Sequence, residues 1–241
     1  MERIRAYTRM ALILITMTTY MSVIFMRRFW KGNDLRHALR IRQKWCSLAT
    51  RILGIRVFVQ GSWPEIPVMV ESNHRSMMDP VVILSQFHCI PVGKAEIARY
   101  PLLGKAADVT GIIFLQRDNK NSRQQTRDAI VSWHRRSQSI LIFPEGTTGG
   151  ERTTREFKKG SFEVANQNNI SVLPLVIVYQ QGEVAWEDGS MGNHFMTTFG
   201  KRRINVNLII GPVITPVDAV ASMEQTKTWM DKILGNNGSM N

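Results

Sequence analysis

The chain has 241 residues, enough for one large α/β domain or two small ones. Apolar residues make up 44%, which excludes a disordered chain. A formal net charge of +12 calls for an anionic partner: nucleic acid, an anionic membrane, or an acidic substrate or carrier.

Residues 10–26 read MALILITMTTYMSVIFM, without a single charge. Arg3, Arg5 and Arg9 precede the run, and Arg27, Arg28 and Lys31 follow it. A spanning helix needs roughly 20 apolar residues, so this run is marginal as a span. A helix that dips into one leaflet, or spans with snorkelling ends, fits equally well. A buried core helix is the bland alternative, but arginines at both ends resemble headgroup anchors. No small-residue cleavage site follows, which argues against a signal peptide. The next segment, Leu35–Leu53, places Leu35, Leu39, Trp45, Leu48, Ile52 and Leu53 at near-helical spacing, with Arg36, Arg40, Arg42, Lys44 and Arg51 around them. A basic amphipathic helix carrying Trp suits a membrane surface. A helix packed on the core with a solvated basic face has the same pattern, and the neighbouring apolar run favours the membrane.

Beyond Gly54 the pattern changes. Strands are predicted at residues 56–60, 68–71, 91–93, 112–115, 140–143, 172–178 and 204–210, and helices at 80–86, 122–136, 161–166 and 224–234. Short apolar strands alternating with helices imply an α/β domain with a mixed, largely parallel sheet flanked by helices. The organisation expected is N-terminal membrane-associated helices at 1–54, an α/β domain at 55–234 and a flexible polar tail at 235–241. Cys46 and Cys89 have no metal-ligand spacing, and no metal site is implied.

Residues 71–80 read ESNHRSMMDP, between a predicted strand and a predicted helix. Asp79 followed by Pro80 is a good helix start. His74 and Asp79, five residues apart, do not share a helix face, but across a strand–turn–helix corner they can converge. Asp79 then holds one imidazole nitrogen and leaves the other free as a general base. This is the base-and-orienter half of a hydrolase triad, without its nucleophile. Alone, the pattern is common by chance, with Asp79 a cap and His74 a loop residue. It is accompanied by SILIFPEGTT at residues 139–148, a strand that turns sharply at Gly146, and by GIIFLQR at residues 111–117, a strand ending in Arg117. An arginine fork suits phosphate.

Together these segments resemble the glycerophospholipid acyltransferase family, the group that contains bacterial 1-acylglycerol-3-phosphate acyltransferases. Four blocks occur in the family's order: Asn73-His74-(x4)-Asp79, then Gly111 to Arg117, then Phe143-Pro144-Glu145-Gly146-Thr147, then Val172-Leu173-Pro174-Leu175. Lys94-Ala95-Glu96, Pro101-Leu102-Leu103-Gly104 and Phe157-Lys158-Lys159-Gly160 also look like the family. The resemblance implies direct transfer, without an acyl-enzyme, from an acyl thioester to the sn-2 hydroxyl of 1-acylglycerol-3-phosphate, giving phosphatidic acid. It implies that His74, oriented by Asp79, is the general base. It assigns Arg117 and the turn of Glu145, Gly146 and Thr147 to the acceptor, with Asn73 also on the substrate side. A negative Glu145 suits phosphate poorly, so it is expected to hold an arginine or the glycerol hydroxyl, while Gly146 and Thr147 face the phosphate. Lys94, Lys105 and Lys158 are weaker phosphate candidates. No cofactor is implied; acyl-CoA or acyl carrier protein is the co-substrate, met with membrane lipids and lysophosphatidic acid at the cytoplasmic face of the inner (plasma) membrane. Residues 184–203 resemble two bacterial subgroups alike, which keeps a lyso-ornithine or lyso-glycine lipid open as acceptor. No nucleic-acid partner is expected, since no helix-turn-helix, zinc-finger or RNA-recognition signature occurs.

Overall fold

The computed structural model describes the whole chain except residues 33, 100–103, 105–108, 117–119, 181–190 and 238–241. Two N-terminal helices, α1 (Glu2–Lys31) and α2 (Leu35–Leu53), precede the sheet. The strands are β1 (Ile55–Gln60), β2 (Met69–Ser72), β3 (Cys89–Lys94), β4 (Ile113–Leu115), β5 (Ser139–Ile142), β6 (Val172–Tyr179) and β7 (Ile204–Ile210). Helices α3 (Asp79–Gln86), α4 (Lys120–Arg135), α5 (Gly160–Gln167), α6 (Met191–Gly200) and α7 (Ala219–Asn237) connect or flank them. The seven strands lie in the order β1-β7-β6-β2-β5-β3-β4, and every neighbouring pair is parallel except β6–β7. This is the mixed, largely parallel sheet expected.

The continuous apolar run of β6 follows from burial on both faces. Side chains alternate across the sheet: Val70, Leu141, Leu173 and Leu175 enter one core with α3 residues Val82 and Ile83, while Met69, Ile140, Val172 and Val176 enter the other with Phe162 and Met230. By the same alternation Glu71 faces the second core and Ser72 the first. The carboxyl ends of β6, β2, β5, β3 and β4 therefore share one edge of the sheet, and the turns that follow β2 and β5 emerge there.

Helix α2 has the bounds the periodicity predicts. Asp34 accepts the His37 N–H at 3.1 Å, and the helix stops at Gly54, whose φ of +72° is left-handed. A Cβ at Gly54 would stand 2.8 Å from the Arg202 carbonyl oxygen. Of the apolar stripe predicted for α2, Leu39 and Leu53 are buried, and Leu35, Trp45, Leu48 and Ile52 are partly buried. Ala38, Leu39, Ile41, Cys46, Ala49 and Leu53 are buried against the protein itself. Arg42, assigned above to the basic face, is buried too, and its guanidinium donates to the carbonyls of Thr110 (2.9 Å) and Cys89 (2.6 Å). Arg36, Arg40, Lys44 and Arg51 remain exposed.

Helix α1 is different. Met17, Met21 and Ile24 pack on Ala38, Ile41 and Val109, whereas Leu12, Leu14, Ile15, Val23, Phe25, Met26, Phe29 and Trp30 are exposed. The helix is long and apolar enough to cross a membrane. Two of its arginines are not headgroup anchors. Arg5 donates to the Gly200 carbonyl (2.6 Å), and Arg9 donates to the carbonyls of Phe199 (2.9 Å), Lys201 and Arg202 (3.3 Å). Phe199 and Gly200 end α6, and Lys201 and Arg202 follow it directly, where a positive charge is favoured by the helix dipole. Helix α6 was not anticipated: Gly192, Asn193 and the two adjacent threonines have weak helix propensity. Packing on α1 and the arginine caps supply what propensity lacks. Helix α7 runs to Asn237, into the segment expected to be a flexible tail; residues 238–241 lie outside the described ones.

Candidate active site

Strand β2 ends at Ser72, and the turn of residues 73–78 carries the chain into α3. Asn73 is wholly buried; its side-chain oxygen accepts from the Ile177 N–H (2.7 Å) and its amide donates to the Ile177 carbonyl (3.0 Å). Its expected place on the substrate side is corrected accordingly. Both ends of the amide pin the turn to β6, and the buried side chain acts on the site only through the backbone.

His74 and Asp79 do converge. His74 Nδ1 lies 2.8 Å from Asp79 Oδ2, and the ring stacks on Phe143 at 4.1 Å with an interplanar angle of 19°. Asp79 is wholly buried. Its Oδ2 also accepts the N–H groups of Arg75 (2.6 Å) and Ser76 (2.9 Å), and its Oδ1 accepts the Tyr179 hydroxyl at 2.7 Å. A buried carboxylate is tolerated only when hydrogen-bonded in this way. The expectation that Asp79 caps α3 is not met. Asp79 is the first helical residue and turns back to the preceding turn. As an acceptor-only carboxylate it requires the proton on Nδ1, which leaves the Nε2 lone pair for chemistry. The ring keeps part of its surface exposed, at 16%. Burial, with the neighbouring Asp79 charge, holds the Tyr179 phenol well above its ordinary value, so it remains a donor.

Strand β5 leads into Phe143-Pro144-Glu145-Gly146. The turn closes with the Gly146 N–H on the Phe143 carbonyl (3.0 Å) at a φ of +71°, a conformation glycine takes without steric cost. Glu145 is buried and both its oxygens are engaged within the protein. Oε1 accepts the His74 N–H (2.8 Å), Oε2 accepts the Arg155 N–H (2.9 Å), and the Arg75 guanidinium lies 3.7 Å away. Glu145 thus holds an arginine and the backbone N–H of His74. Arg75 in turn donates to the carbonyls of Gly149 (3.1 Å) and Thr153 (3.0 Å), while the Gly149 N–H donates to the His74 carbonyl (3.0 Å). Thr147 is exposed at the rim, and so is Lys158, whose N–H donates to the Pro144 carbonyl at 2.9 Å. Lys94 ends β3, exposed and two strands from β2, which at about 4.8 Å per strand is roughly 10 Å along the edge. Arg117 and Lys105 lie outside the described residues.

Sequence inspection missed Arg75, Ser76, Tyr179 and His194. Arg75 and Ser76 stand inside the motif at positions treated as spacers. Tyr179 had one signal, a polar tip closing an otherwise apolar strand. Both cysteines are buried, and burial pushes each thiol up to about 12, so neither offers a thiolate nucleophile.

Three residues before His74, Glu71 is wholly buried with no hydrogen-bond partner among the described residues, although Ser161 is nearby. Burial raises its carboxyl from 4.5 to about 8. Between those two values the folded chain keeps a proton that the unfolded chain has lost, so stability falls as pH rises through that window. Glu71→Gln is expected to flatten this slope and to be the more stable protein at pH 8. Urea midpoints measured from pH 5 to pH 9 check it; parallel wild-type and variant curves would refute it.

Comparison with known proteins bears on this arrangement. The model of the family described as Acyltransferase matches residues 54–178, just over half of the chain. The 1-acyl-sn-glycerol-3-phosphate acyltransferase of Borreliella burgdorferi is 33% identical over 132 residues, covering 52% of each chain. The lyso-ornithine lipid O-acyltransferase of Pseudomonas aeruginosa is 29% identical over 145 residues, covering 60% of this chain and 56% of that one. The chain spans about half the length of these curated relatives. The crystal structure of the 1-acyl-sn-glycerophosphate (LPA) acyltransferase PlsC from Thermotoga maritima superposes with a TM-score of 0.74 over 98% of this chain and 97% of that one. At 19% identity this likeness is one of fold.

Proposed function

The chain belongs to the acyltransferase family, and from that premise we propose that it moves a fatty acyl group from an acyl thioester, acyl-CoA or acyl carrier protein, to the sn-2 hydroxyl of 1-acylglycerol-3-phosphate, giving phosphatidic acid. The observation that carries this reading is the His74–Asp79 pair: an imidazole oriented by a buried carboxylate. Nε2 of His74 takes the proton of the acceptor hydroxyl as its oxygen attacks the thioester carbonyl. The C–O bond forms, the C–S bond breaks, and the proton passes from His74 to the departing sulfur. A thiol has an ordinary pKa of about 8.5, so its thiolate leaves without a second strong acid. Direct transfer also agrees with two protonated, buried cysteines. In this proposal Lys94, Thr147 and Lys158, all exposed, meet the acceptor's phosphate together with Arg117.

The exposed apolar side of α1, ending in Phe29 and Trp30, would seat the enzyme on the cytoplasmic leaflet, where the lysolipid and a soluble acyl donor meet. Exposed Arg36, Arg40, Lys44 and Arg51 would add attraction to anionic lipid, about 1 kcal/mol for each that reaches the surface.

A second acceptor is kept because the lyso-ornithine lipid O-acyltransferase match extends over more of this chain than the B. burgdorferi one. The test offers the detergent-purified protein lysophosphatidic acid or lyso-ornithine lipid, each with radiolabelled acyl-CoA and with acyl carrier protein. Labelled phosphatidic acid is the expected product. Label only in ornithine lipid would replace the acceptor, and label in neither would overturn the proposed reaction.

A further inference from the structure

His194 lies on α6, a helix that the sequence reading did not include. The helix brings it against the back of the site: it is buried, and its Nε2 is 3.1 Å from Ser76 Oγ. Ser76 is wholly buried in the turn between His74 and Asp79, and its N–H is one of the donors on Asp79 Oδ2. Its Oγ also accepts the Met78 N–H at 3.3 Å. We propose that His194 is a positioning residue for the proposed acyl transfer, holding Ser76 so that the turn keeps Asp79 aimed at His74.

The geometry supports this in three ways. First, among the described residues every donor to the Asp79 carboxylate other than His74 and Tyr179 comes from the backbone of Arg75 and Ser76, so the direction of the carboxylate depends on that turn. Second, a hydroxyl this deeply buried needs a polar partner to fix its rotamer, and the imidazole supplies one from a separate helix. Third, α6 is itself anchored: Arg5 and Arg9 of α1 hold its final carbonyls, and Phe195 and Phe199 pack in the core. A strut therefore runs from α1 through α6 and Ser76 to Asp79. Burial lowers the His194 imidazole, which keeps it neutral and able to donate or accept.

The inference rests on the function proposed above, so its test includes a readout that needs no substrate. In His194→Leu and in Ser76→Ala, kcat is expected to fall about tenfold with KM for the acceptor unchanged, and the double variant to be no worse than either alone. His194→Gln, which can place a polar atom near Ser76, is expected to recover most of the lost rate. Independently of turnover, the far-downfield NMR signal of the His74 Nδ1 proton should move upfield in His194→Leu and Ser76→Ala and return in His194→Gln. Additive losses, a change confined to KM, or an unmoved Nδ1 signal in folded Ser76→Ala would overturn it. If wild type transfers no acyl group but the proton signal responds as described, the positioning role stands and the assigned reaction falls.

Discussion

His74→Ala should lower kcat by about 10²–10⁴-fold, the usual contribution of a positioned general base, with KM for the acceptor changed little. Truncation removes the base but leaves Asp79 its three remaining donors, Arg75 N–H, Ser76 N–H and the Tyr179 hydroxyl. The fold should therefore survive, and an unchanged thermal transition separates lost chemistry from lost structure. Asp79→Asn should cost a comparable factor for a different reason. An amide nitrogen at Oδ2 would face three donors, and an amide oxygen there would leave the amide nitrogen facing the Tyr179 hydroxyl. With the amide oxygen at Oδ2 the proton stays on Nδ1, but the negative charge that stabilises the imidazolium formed during transfer is lost. Single-turnover transfer with labelled thioester measures both. A His74→Ala protein that retained more than a tenth of the wild-type rate would exclude His74 as the base.

Glu145→Gln should be the most damaging isosteric change to stability. The carboxylate accepts two backbone N–H groups from distant segments and faces the buried Arg75 guanidinium. An amide can accept only one of the two N–H groups without turning its own donor on the other, and it leaves Arg75 without its ion pair. Breaking a buried pair by removing one partner costs roughly 3–5 kcal/mol, a large share of the stability of an ordinary domain. Catalysis should suffer as well, because Glu145 Oε1 holds the backbone of His74. A shift of the base by 1 Å can cost about 10²-fold. The expected result is a lower urea midpoint with an unchanged slope, and a fall in kcat larger than any change in acceptor KM. If the variant kept full stability and rate and bound the acceptor more tightly, Glu145 would instead be facing the phosphate.

The division between what could be read along the chain and what could not follows a physical line. Local signals carried the fold: strand β6 is an almost uninterrupted apolar run because both faces are buried, and α2 has its cap, its period and its terminal glycine in order. The ordered blocks around His74, Glu145 and Val172 were enough for the family, and the sheet sets β2 between the strands of the other two, β5 and β6. Residues whose roles depend on distant partners were not readable. Asn73 looks like a substrate ligand until its amide is seen clasping Ile177, 104 positions away. Arg5 and Arg9 look like membrane anchors, yet they cap a helix that begins almost two hundred residues later. Arg42 looks solvated, and it is buried on two carbonyls.

By itself the sequence determined the α/β class, the strand positions, the His–Asp pair and the family, since these depend on short-range periodicity and on motifs contiguous in the chain. Tertiary structure alone decided which polar residues face the substrate edge and which support it from behind. It also decided that α2 belongs to the core, and that α6 forms at all. A side chain's burial and hydrogen-bond partner are properties of the folded neighbourhood, and no local pattern specifies which distant segment will occupy it.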